Sequence, residues 1–187
     1  MAATAANVLM GVGTLYRGAF GATEPADTAV GDPPDSGSWT DIGATTDGVS
    51  VSIKQDFAEI EVDQTVDIIG RRLTKRDLSI STNMAEATLE NLVVAANSGG
   101  SITTGSGWKK FTPTNDVTVT QPTYCALLFD GFAPGTGKSR KVIGRRMLNS
   151  ESTEMAYKKA DVTVLKVSWS AHFVSTSVAP YVIVDEA

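Results

Sequence analysis

Period-two alternation of apolar and polar residues is what most limits the folds open to this chain. Val49-Ser50-Val51-Ser52-Ile53 puts its aliphatic side chains on one side of an extended backbone, and Ala58, Ile60 and Val62 alternate likewise with Phe57, Glu59, Glu61 and Asp63. Successive side chains of a strand point to opposite faces, so each segment reads as a strand with one dry and one wet face. Further strands are expected over Leu73–Ser81, Val117–Thr120, Tyr124–Phe129, Val142–Asn149, Ala160–Phe173 and Tyr181–Val184. Leu165, Val167, Trp169, Ala171 and Phe173 share one face of their segment. Many short strands in succession predict a mainly β fold, a sandwich or a barrel.

One segment carries the other period. NMAEATLENLVVAAN, Asn83 to Asn97, sets Leu89, Leu92, Val93 and Ala96 at helical spacing, with Asn83 able to cap, Glu86 able to reach back, and Ser98-Gly99-Gly100 as a stop. This predicts a single flanking amphipathic helix over residues 84–97, its Leu/Val stripe against the sheet. Two stretches follow neither period. Gly21 to Ser38, rich in Gly, Pro and Asp, and SGGSITTGSGW, Ser98 to Trp108, read as long loops. With 187 residues, the chain fits one domain over 1–187 that buries its own core.

Composition removes whole classes of chemistry. Cys125 is the only cysteine and His172 the only histidine, so an internal disulfide, a cysteine zinc cluster and most His-dependent catalysis are excluded. A net charge of −5 gives no reason to grasp the outside of a polyanion. The N-terminal MAATAANVLMGVG lacks a secretory pattern, and no run approaches a membrane span, which predicts a protein made in a cytoplasm.

The strongest motif-like stretch is GFAPGTGKSRKV, Gly131 to Val142, whose Gly137-Lys138-Ser139 is how a phosphate-binding loop ends. Five residues separate Gly131 from Gly137 where that loop has four, and Pro134 removes a backbone donor. A following helix would begin with Lys138, Arg140 and Lys141, the wrong sign for its dipole, and carry Gly144 in its middle. The stretch therefore reads as a hairpin turn with a basic flank.

Other constellations are weak. Glu59, Glu61 and Asp63 read as a solvated strand face before they read as paired acid and base, and Asp32, Asp35 and Asp41 lack the spacing of a calcium loop. Should 57–63 and 71–77 form a hairpin, Glu59 and Glu61 would face Arg72 or Arg76 across it. Trp39, Trp108, Tyr124, Tyr157 and Trp169 could stack on sugars, but their scatter favours core and interface roles. No catalytic, cofactor or metal residue is assigned.

The order of these parts resembles a known family, the major tail tube proteins of long non-contractile tailed phages, particularly those of actinobacteria. The resemblance rests on Val8 to Ala29, a first strand leading into a Gly/Pro loop, and on WTDIGATTDGVSVSI, Trp39 to Ile53. It continues through IEVDQTVDIIG, Ile60 to Gly70, the strand and helix of LTKRDLSISTNMAEATLENLVVAAN, and Arg140 to Phe173, similar to the family's long hairpin. It spans nearly the whole chain, and its weight lies in the order of parts.

The resemblance implies a sandwich-like or barrel-like tail tube fold, six copies closing into a ring, and rings stacking into a virion tube assembled in the host cytoplasm. Partners would be the chain itself, a tape-measure protein, a tail terminator, and distal tail or baseplate proteins. DNA would pass through the lumen without specific binding, no enzyme activity or cofactor being needed. Glu59, Glu61 and Asp63 are then candidate lumen-facing residues; Asp27, Asp32, Pro33, Pro34 and Asp35 candidates for an inter-ring loop mobile before stacking; and Lys138, Arg140 and Lys141 candidates for contacts to acids on a neighbour. The competing readings are another β-rich tail component, a terminator or distal ring, and a carbohydrate-binding β-sandwich.

Overall fold

Strands dominate the computed structural model, which describes Val8 and residues 11–97, 99–114, 122–155, 157, 159 and 161–187. In chain order they are β1 (Thr14–Ala19), β2 (Trp39–Asp41), β3 (Thr45–Ile60), β4 (Gly70–Met84), β5 (Gly100–Gly105), β6 (Trp108–Pro113), β7 (Cys125–Phe132), β8 (Ser139–Asn149), β9 (Leu165–Ala171) and β10 (Tyr181–Asp185), with the single helix α1 (Leu89–Ala95) after β4. The main sheet runs β2-β1-β7-β8-β9-β4-β3, β10 also pairing with β8, while β5 and β6 form a hairpin of their own. Every pairing is antiparallel.

The alternation in the sequence becomes two faces of this sheet. Leu15 of β1, Leu127 of β7, Val142 and Met147 of β8, Leu165, Val167 and Trp169 of β9, and Leu78, Ile80 and Met84 of β4 meet in one buried cluster. Strands from both ends of the sheet order share that cluster, so the sheet curls over on itself as a partly open barrel. Helix α1 adds Ala95, with Leu92 and Val94 packed alongside. The opposite face of β1, β7 and β8 holds a second cluster, Trp39, Ala126, Leu128 and Ile143.

Several local expectations are corrected. The helix is shorter than 84–97, because Asn83 sits in the β4 ladder opposite Thr46 and Lys166. The cap is Thr88, whose side chain accepts the Asn91 amide at 3.2 Å, and Glu86 turns instead to the Ala44 amide. Of the predicted stripe, Leu92 packs on the core, joined by Val94 and Ala95 rather than by Ala96. Ser98 to Trp108 is no plain loop: Ser106-Gly107 is a two-residue turn between β5 and β6, with Gly107 at φ 81. The predicted strand over Val117–Thr120 lies outside the described residues, as does Ala160; the strand expected from there begins at Leu165.

Asn149 ties helix to sheet. Its side-chain amide donates to the carbonyls of Ala95 (2.6 Å) and Glu151 (3.2 Å), and its oxygen accepts the amides of Ser168 (2.9 Å) and Glu151 (3.2 Å). A buried side-chain amide is tolerable only when so satisfied.

Candidate assembly surface

The two strand segments expected at 49–53 and 57–63 are one long strand, β3, folded against β4 in a hairpin. The inner half is anchored, since residues 79–84 of β4 pair with β9 on their other side. Beyond that, residues 53–60 of β3 and 70–78 of β4 pair as strands only with each other among the described residues. The hairpin leaves the body as a two-stranded arm with both edges open. Isolated two-stranded hairpins are marginal in water, and open edges invite further pairing.

The arm's faces differ. One carries the cross-strand pairs Lys54 with Asp77 and Asp56 with Lys75, tightened by Lys54–Asp56 (3.4 Å) and Lys75–Asp77 (3.2 Å) contacts. Nearer the body this face continues as serines in register, Ser52·Ser79·Ser170 and Ser50·Ser81·Ser168. The other face begins at Ile53 opposite Leu78 and, past a bulge at Thr74, presents Phe57 opposite Leu73, 51% and 46% exposed.

At the end of the arm Glu59 faces Arg71, at 2.8 Å, rather than Arg72 or Arg76. Arg76 lies over the Tyr181 ring, 5.5 Å from its centroid. The predicted strand face of Glu59, Glu61 and Asp63 is corrected: β3 stops at Ile60, where the Ile69 amide closes on its carbonyl, and Glu61 and Asp63 belong to the tip loop. That loop, residues 61–69, exposes Val62, Val66, Ile68 and Ile69, with Val66 wholly in solvent. Sequence reasoning missed these residues. The available signal was that four aliphatic residues are more than a polar turn needs.

The Gly21 to Ser38 loop is a packed strap over the outer face. Val30 and Pro34 are buried while Asp27, Asp32, Pro33 and Asp35 are exposed. The Trp39 indole donates to the Thr23 carbonyl at 2.8 Å, and Arg145 clasps Glu24 through two bonds, 2.5 and 2.9 Å. Lys141 is the central fastening. It is 2% exposed, and its ammonium donates to the carbonyls of Ala29, at 2.8 Å, and of Asp32. The placement follows from β8 register, since Lys141 and Ile143 share the outer face while Val142 points into the core.

These positions change the expectations for the basic run. Lys141 is unavailable to a neighbour because it is buried beneath the strap. Arg140 is held by Asp185 of the same chain, through bonds of 2.6 and 2.7 Å that keep the Asp185 carboxyl below its ordinary range. Lys138, half-buried at the β7–β8 turn, has no carboxylate partner among the described residues. That turn closes with the Ala133 amide on the Lys138 carbonyl and needs Gly135 and Gly137 at φ 113 and 73. Ser139 then opens a strand, not a helix, so the phosphate-loop geometry is absent.

Electrostatics under the strap reflect burial. Burial pushes the Asp130 carboxyl up, opposed by Lys141 directly across the ladder. Tyr16 is raised by burial first, then by Asp41 and Asp130. Cys125 is raised to about 11 by burial. Among the described residues no cluster could hold a metal ion, and no helix is long and apolar enough to cross a membrane. His172 is half-buried, with Nδ1 3.0 Å from the Ser170 carbonyl oxygen and the Tyr124 ring edge-on to its imidazole. Comparison with models of known protein families and with curated protein sequences finds no match to the chain.

Proposed function

We propose that this chain is a structural subunit that assembles with copies of itself, in the manner of a phage major tail tube protein, as hexameric rings stacked into a conduit for DNA. The observation that carries the reading is the β3–β4 arm, which leaves the body with two open edges, an apolar face at Phe57 and Leu73, and an apolar tip. A monomer gains little from such an arm, whereas pairing it with another subunit removes the edges and buries the apolar surface. The order of strand, strap, hairpin, helix and final strands is also that of the family it resembles.

In this reading the strap, fastened from beneath by Lys141 and Arg145, offers the exposed Asp27, Asp32, Pro33 and Asp35 to the next ring. Lys138 is the member of the basic run left to meet a neighbour's acid. Electron microscopy of the concentrated protein tests the reading: hollow stacked tubes support it, isolated rings indicate a terminator or distal ring, and a persistent monomer retained on polysaccharide indicates a carbohydrate module.

A further inference from the structure

Curling of the sheet leaves its mouth unfilled. Between β3 on one side and β7, β8 and β10 on the other lies a groove of about 380 Å³, walled by Val51, Ile53, Phe129, Phe132, Val142 and Ile183. Phe132 is 50% and Ile183 43% exposed, so the groove, which Gly11 and Val12 also line, presents apolar surface left uncovered by the described residues. Arg140, held by Asp185, also lines the groove, and Lys138 lies in the adjoining β7–β8 turn, next to Ser139, which pairs with Phe132. A second apolar surface, the 61–69 tip, is flanked by Glu61, Asp63 and Asp67, none with a cationic partner among the described residues.

We propose that the groove at the barrel mouth seats the 61–69 tip of a second copy of this chain, with the tip's acids against Lys138 of the receiving copy. The inference rests on the self-assembly reading and names the two surfaces that meet. Charge and polarity match: an acidic, aliphatic tip against an apolar groove with an unpaired cation, Lys138, in the adjoining turn. The contact must be between copies. Ile60 stands about 23 Å further along β3 than Ile53, seven residues at the rise of a strand, so the tip cannot reach its own groove without dissolving the ladder that carries it. Because tip and groove are different surfaces, the contact is head to tail, and each copy gives one and receives one; such contacts close as rings or run on as filaments.

The test uses the full chain and sedimentation across concentration, with circular dichroism as a fold control. Val66→Asp, at a fully solvated position, and Ile183→Asp or Phe132→Asp should each fold and each raise the dissociation constant about tenfold or more. Mixing Val66→Asp with Phe132→Asp should restore one intact contact and stop at dimers. Lys138→Glu should weaken assembly, and mixing it with Asp63→Lys should recover it. Wild-type assembly with Val66→Asp assembling equally well would overturn this contact while sparing self-assembly, as would a mixture that stays monomeric. A wild type that never associates would overturn both.

Discussion

Replacing Lys141 by Met removes an ammonium while keeping most of the stem that packs under the strap. The carbonyl of Asp32 loses its donor, and that of Ala29 keeps only the Asp32 amide. An acceptor left unpaired away from water costs about 1–3 kcal/mol, so the closed strap is penalised by about that much at first sight. Two effects reduce this. The variant no longer buries a charge, and the strap can lift so that water reaches the carbonyls. Lifting forfeits the burial of Val30, 4% exposed, worth about 1.5–3 kcal/mol for a fully buried aliphatic side chain. The smaller route wins, so the free energy of opening the strap should fall by about 2 kcal/mol, a factor of about 30 in its open population. Native-state hydrogen exchange reads this directly. The amides of Asp32, Ser38 and Trp39, bonded to Ala29 and Asp35 carbonyls, should exchange about 30-fold faster in Lys141→Met, while β4 and β9 amides change much less. Unchanged protection over residues 29–39 would refute the clamp.

Asp130 supplies a pH dependence. Its folded-state pKa is raised by burial, so the native state holds this proton longer than the unfolded chain, and stability falls as pH rises from the ordinary aspartate value through the raised one. Asp130→Asn should abolish that acid-side fall and be no less stable than wild type at neutral pH, as denaturant titrations at several pH values will show. Cys125, with its thiol pushed to about 11 and its side chain buried, should resist a disulfide exchange reagent in the native protein and react on unfolding; fast native labelling would contradict its placement. Asn149→Ala strands partners on Ala95, Glu151 and Ser168, and should cost about 2–4 kcal/mol in chemical denaturation. Exchanging Lys138, Arg140 and Lys141 together for Glu would confound assembly with stability, because Lys141 is buried, so Lys138 alone should be changed.

Strand order along the chain was legible because burial on one face writes itself as alternation, as in Val49, Val51 and Leu165 to Ala171. The turn at Gly131 to Ser139 was legible too, since glycine spacing and the sign of the basic run both argued against a helix. Where alternation misled, the cause was a missing layer. Ala58, Ile60 and Val62 alternate, yet no element covers the arm, and Ala58 and Ile60 are exposed. The fate of the basic run was hidden for a different reason. Whether Lys141 meets solvent, an acid or backbone carbonyls depends on the strap 109–112 residues earlier in the chain, a contact that no local pattern encodes. Thr88 displaced Asn83 as helix cap because β4 claimed Asn83 for its ladder, a tertiary demand stronger than capping preference.

Those long-range fastenings also imply an order of folding. β1 must find β7 more than a hundred residues away, and Arg145 must find Glu24 across 121 residues, whereas β3 and β4 are joined only by the 61–69 tip loop. Closing large loops is slow, and local hairpins form in microseconds. The arm is therefore expected to exist before the barrel that bears it, so that the nascent chain shows its apolar tip while the strap and mouth are still unformed. Pulse-labelled exchange during refolding should find β3 and β4 amides protected ahead of those of β1 and residues 29–39. A cell making this chain in quantity would then carry the uncovered tip without its barrel chiefly in the interval between hairpin and barrel.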